Sequence, residues 1–190
     1  MVLRRLLMLL SKTIDQKFND LRIILKSKNK DSIKMDAHGG NSILFVYPPR
    51  KEKLYLSRAR RDYPDAYFID IAELFIKYID IIGYNNFIEA YEEYKTEPEK
   101  LFKSESSSQD LYDLILDEIK KAAEINKMAI IIRTGALFGT GIENINIMEE
   151  SAVYRMDLPL IIMYPAVILE ENKLKFLNCR LASGYRAIII

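Results

Sequence analysis

Apolar residues recur along this chain with two different periods. Leu3, Leu7, Leu10, Ile14, Phe18, Leu21 and Leu25 are spaced by three and four. That spacing predicts an amphipathic helix over 2–28 with one apolar stripe, widened by Leu6 and Ile24. Residues 26–41 are polar and close on Gly39-Gly40, which reads as a loop. From Ser42 to Tyr47 the pattern changes to an unbroken apolar run, as in a strand buried on both faces, and Pro48-Pro49 ends it. Helices are then expected over 51–63, 72–82, 85–94, 109–126 and 142–154, with Gly83 as a C-cap and a serine-rich loop over 104–108. Strands are expected over 66–71, 128–132 and 158–164, the last stopped by Pro165. Runs over 174–179 and 185–190 read as a closing hairpin around Ala182-Ser183-Gly184. This alternation predicts a three-layer α/β fold: a mainly parallel central sheet flanked by helices, with an antiparallel C-terminal edge. The expected organisation is one domain over 1–190, comprising the amphipathic helix at 1–30 and an α/β core at 42–190.

Composition agrees with a single globular unit: 190 residues, 49% hydrophobic and 29% charged. Cys179 is the lone cysteine, so no internal disulfide framework is expected and a reducing compartment suits the chain. The apolar run at residues 6–10 is too short for a signal core or a membrane span. The expectation is a soluble cytoplasmic protein with no membrane partner. Net charge is only +1, yet it is unevenly spread. Residues 1–61 carry 15 Lys/Arg against 5 Asp/Glu, whereas residues 62–118 carry 4 against 15. A basic surface of this kind can serve a partner, nucleic acid included, unless the two halves compensate within one fold.

The candidate chemistry is sparse. Thr134, Gly135, Gly139, Thr140 and Gly141 lie between a strand and a helix, where α/β proteins cradle anions. No Lys-Ser/Thr pair follows the second glycine and the dinucleotide spacing is absent. Leu137 and Phe138 favour a tight turn with a hydrophobic plug. His38 is the only histidine, which removes a histidine triad or zinc site on inventory alone. Asp70, between a strand and a helix, reads as an N-cap rather than a metal ligand. Arg50, Lys51, Lys53, Arg58, Arg60 and Arg61, interleaved with Tyr55 and Tyr63, form the densest basic cluster. It is a candidate surface for a protein partner or for weak, sequence-nonspecific phosphate contacts. The acidic run Glu89, Glu92, Glu93, Glu97 and Glu99 reads as a solvated helix face. No catalytic constellation, metal site or cofactor is expected.

Four segments in order carry a family resemblance. They are Leu44-Phe45-Val46-Tyr47-Pro48-Pro49; Ile69-Asp70-Ile71-Ala72-Glu73-Leu74-Phe75; Thr134-Gly135-Ala136-Leu137-Phe138-Gly139; and Leu160-Ile161-Ile162-Met163-Tyr164-Pro165, with 174–178 and Tyr185-Arg186-Ala187 completing the last. Together they resemble the BrxB family of BREX (bacteriophage exclusion) defence systems over the whole chain. One departure is Ala166, where that family commonly has glycine after the proline. The resemblance implies a non-catalytic interaction or assembly subunit of a defence complex. Its implied neighbours are a PglZ protein of the alkaline-phosphatase superfamily, a methyltransferase and a large ATPase. The stripe from Leu3 to Leu25 would dock such a partner or a second copy. A degenerate nucleotide- or anion-sensing domain and a weak nucleic-acid-binding module stand as alternatives.

Overall fold

In a computed structural model, which describes residues 12–27, 30–104, 109–169, 173–182 and 186–190, the chain is an α/β protein built on one seven-stranded sheet. The helices are α1 (Ile14–Ser27), α2 (Lys30–Asp36), α3 (Glu52–Asp62), α4 (Ile71–Ile82), α5 (Tyr84–Tyr94), α6 (Glu99–Phe102), α7 (Leu111–Glu124), α8 (Asn144–Met148) and α9 (Ser151–Arg155). The strands are β1 (Ser42–Tyr47), β2 (Tyr67–Asp70), β3 (Ala129–Ile132), β4 (Leu160–Ile168), β5 (Leu174–Phe176), β6 (Arg180–Ala182) and β7 (Ile188–Ile189). The parallel order is β2-β3-β4-β1-β7, and β5 and β6 add an antiparallel edge to the far end of β4.

Every residue of β1 and β3 is buried, the burial that their unbroken apolar runs require. Side chains alternate between two cores across the sheet. Leu44, Val46, Ile131, Ile162 and Tyr164 face the larger one, under α4 to α9. Ile43, Phe45, Tyr47, Ile130, Ile132, Ile161 and Met163 face the smaller one, under α1 and α3. The chain leaves β1 toward β2 through α3 on one face and returns through α4 to α7 on the other. Opposite directions on opposite faces keep the crossovers of one hand. The direction of winding therefore reverses between β4 and β1.

Five expectations change. The helix over 2–28 is not continuous: a reciprocal capping box between Thr13 and Gln16 starts α1 at Ile14 (Thr13 N–H to Gln16 Oε1, 2.8 Å), and residues 1–11 lie outside the described residues. The 26–41 stretch contains α2, because Ile33 and Ala37 fall four apart and bury together. The helix over 142–154 is two short helices, broken where the Glu150 carboxylate accepts the Tyr112 hydroxyl at 2.6 Å. Pro165 does not end β4. Alternate residues from Leu160 bond β1, so Pro165 faces the other edge, past the last β3 partner Ile162 and where pairing to β5 begins, and the sheet needs no N–H from it. Its carbonyl accepts the Leu177 N–H at 2.8 Å.

The closing hairpin is also re-paired. β5 turns back through Leu177 and Asn178, both at positive φ (48° and 59°), to pair with β6. β7 instead crosses to the other edge of β1, running parallel to it. The crossing brings Arg186 onto Gly40, where a methyl group would sit 1.9 Å from the Arg186 carbonyl oxygen. Gly40→Ala should therefore cost about 2 kcal/mol or more of unfolding free energy, since only a backbone shift at the β1–β7 entry relieves the overlap. Urea denaturation measures it, and an unchanged midpoint would disprove the close approach.

Candidate functional site

The glycine loop is built as a closed turn. The Thr134 hydroxyl donates to the Met163 carbonyl at 2.9 Å, and the Thr140 hydroxyl donates to the Leu137 carbonyl at 2.8 Å while accepting the Ile142 N–H. Leu177 covers Gly135, and Gly141, at φ 78°, lies against Glu99. Gly139 takes φ 85° in open space. The helix that follows, α8, has five residues and presents little dipole to an anion. Of the expected plug, Leu137 is buried but Phe138 is 53% exposed.

The basic cluster is largely folded back on the chain. Arg58 pairs with Asp15 and with Asp62 (2.5 Å) and lies over the Phe18 ring. Arg61 pairs with Asp62 at 3.2 Å. Arg60 lies over Phe68, 4.9 Å from the ring centroid, and 3.8 Å from the Asp70 carboxylate. Tyr55 is buried against Tyr47 and Phe45, so its ring has no face to offer a base. Arg50, Lys51 and Lys53 remain exposed. Asp70 caps α4 through the Ala72 and Glu73 N–H groups, as its position predicts. Its buried second oxygen faces Arg133 at 3.3 Å, a residue held at φ 55°.

The described part of the N-terminal stripe belongs to the domain's own core. Phe18 and Leu21 are fully buried, and Ile14 and Leu25 pack partly on the same cluster beneath β1 and α3. This replaces the docking role expected of that part with a structural one. Leu3, Leu7 and Leu10 lie outside the described residues.

Two features went unread in the sequence. The first is Lys17, which occupies a stripe position and is only 5% exposed. A lysine at a core position was the available signal. Its ammonium donates to the Val46 carbonyl at 2.7 Å and the Ile190 carbonyl at 3.2 Å. Burial, and then the neighbouring Lys12, push its pKa down to about 8, with Asp20 opposing. It lines a cavity of about 430 Å3 beyond the end of β1 and beside the last residues of β4, together with Lys12, Lys51, Ile14, Leu54 and Val167. The second is α5, which is apolar on two sides. Phe87 packs inward, while Tyr84, Ile88 and Tyr91 form an outward stripe, 69%, 42% and 44% exposed. More apolar residues than one face can use was the signal there.

Among the described residues no group of three His, Cys, Asp or Glu side chains is placed to hold a metal, and no helix is long and apolar enough to cross a membrane. The chain matches no family model, no curated protein and no solved structure.

Lys17 sets a pH dependence. Its folded pKa of about 8 lies below the ordinary 10.5, so between these values the unfolded chain binds more protons and stability rises with pH. Unfolding free energy should climb from pH 7.5 to 9.5. Above pH 10 it should turn over, because burial holds Tyr55 and Tyr63 protonated in the fold. Lys17→Met should remove the climb. Urea denaturation across this range tests it, and a flat wild-type profile would count against a buried, depressed lysine.

Proposed function

We propose that this chain is a non-catalytic interaction subunit of a BREX-like phage-defence complex, and that it meets its partner through α5. The observation that carries the reading is the outward stripe Tyr84, Ile88 and Tyr91, at spacings of four and three on a helix whose other side already packs on the core. Contiguous exposed apolar surface on a folded domain marks a binding face, and tyrosines are favoured anchors in one. Ile76 and Ile81 on the adjoining α4 are also exposed.

The charges around the stripe define the partner. Glu89, Glu92 and Glu93 are exposed beside it and, among the described residues, only Glu92 is ion-paired, with Lys95, so the face stays acidic and the complementary surface is an apolar groove with a basic rim. A symmetric dimer through this face would set two acidic rims against each other. A head-to-tail contact between copies would need a second, basic-rimmed groove elsewhere on the same chain. A heterologous subunit is the occupant that fits, and the ordered resemblance to BrxB supports one of the operon neighbours, the PglZ-type protein first.

Co-expression with the PglZ-type, methyltransferase and ATPase neighbours, followed by affinity capture and sedimentation, is the test. One neighbour should be retained, and Tyr84→Asp with Tyr91→Asp should weaken retention on the order of 100-fold while the fold stays intact, since both side chains point to solvent. Retention unaffected by the double substitution, or a stripe occupied only by a second copy, would overturn the proposal.

A further inference from the structure

The cavity beside Lys17 lies where this fold reverses its winding. β1 sends the chain toward β2 along one face, whereas its neighbour β4 is reached along the other and continues past β1 to β7. Such a point leaves a crevice outside the carboxyl ends of the two strands, the general ligand position of open α/β sheets. Here the crevice is deepened by β4, which outruns β1 by Ala166, Val167 and Ile168 and so builds one wall. The opposite wall comes from Leu54 and Tyr55 of α3, and Thr13 and Ile14 close the end. Its volume, about 430 Å3, falls in the range of small-molecule sites.

The lining divides by chemistry. Ile14, Leu54 and Val167 supply an apolar body, while Lys12, Lys17 and Lys51 supply three cations. Asp20 pairs with Lys12 at 2.5 Å, and among the described residues no carboxylate lines the cavity itself. The Lys17 ammonium has three donors, and the Val46 and Ile190 carbonyls take two of them. The third is available to a ligand through a charge-assisted bond, the stronger kind of hydrogen bond.

We infer that this crevice is a binding site for a small organic anion, a carboxylate or phosphate monoester carrying an apolar group, with Lys17 and Lys51 holding the anion and the Leu54–Val167 walls holding the apolar part. The inference stands apart from the α5 interface and does not use the glycine loop, whose threonine hydroxyls are already bonded within the fold. It gives the anion-sensing alternative a different location: the β1–β4 reversal rather than residues 134–141. A bound anion would also return to Lys17 the counter-charge that burial denies it, so occupancy would stabilise the fold.

Titration calorimetry of the full chain with octanoate and with phenyl phosphate, at pH 7 and pH 9, tests this and separates the two headgroups. At least one should bind saturably, one to one, and octanol should not. Lys51→Gln and Lys17→Met should each weaken binding about tenfold. Affinity should fall from pH 7 to 9 in the wild type and in Lys51→Gln, but not in Lys17→Met. Val167→Phe, which fills the apolar half, should abolish binding with an unchanged circular dichroism spectrum, and it keeps the test open if Lys17→Met does not fold. Absence of saturable binding for both anions, or affinity unchanged by Val167→Phe and Lys51→Gln, would overturn the inference.

Discussion

The structure depends on satisfying both edges of β1. A six-residue strand buried on both faces has no access to water, so each of its backbone groups needs a partner inside the protein. β4 supplies one edge along the whole length of β1. The other edge is filled by β7, brought back from the opposite end of the chain: the Ile190 N–H donates to the Leu44 carbonyl and the Val46 N–H to the Ile190 carbonyl. Gly40 is where this return path presses on the entry to β1, and Lys17 is where it ends. A charged side chain in a core is costly, but the Val46 carbonyl, and the Ile190 carbonyl that also takes the Val46 N–H, give its protons acceptors. The same necessity leaves an ammonium group at the mouth of a crevice.

Charge follows a similar economy. The excess of basic residues before position 62 and of acidic residues after it invites a picture of two opposed patches. Folding instead joins them at the end of α3 and the sheet edge, where Arg58 and Arg61 pair with Asp62 and Arg60 approaches Asp70. What survives is the outer side of α5, still acidic after Lys95 pairs with Glu92, and the exposed lysines at the start of α3. The first flanks exposed aromatic rings and the second borders the crevice, so the residual charge sits beside the two places with unfilled apolar surface.

Much of the fold was legible. β1, β2 and β3 announce themselves through short apolar runs, the first ended by Pro48-Pro49. α7 does so through its 3.6-residue spacing, and α4 through Asp70 and Gly83 at its ends. The misread elements share a cause. α2 is mostly polar and is helical because two residues, Ile33 and Ala37, find a buried place. β4 continues through a proline because Pro165 faces the edge that β3 has left and β5 then takes up. Of the candidate sites, the glycine loop and the arginine cluster had the right residues, yet whether a hydroxyl or guanidinium is free depends on the partner it meets in space. The described half of the N-terminal stripe had the right pattern, but a stripe reads the same whether a partner or the chain's own sheet covers it.

The sequence by itself determined the class of the fold, the strands that lie at its centre, and the poverty of its catalytic inventory, because burial length, helical period and residue type are local properties. Only the tertiary structure decided that β7 pairs with β1 rather than with β5, that Lys17 is buried while Tyr84, Ile88 and Tyr91 are not, and that the winding reverses beside a cavity. Each of these is settled by which distant segment fills a given edge or face. That competition is between surfaces formed only after the local elements exist, so no window of sequence contains it.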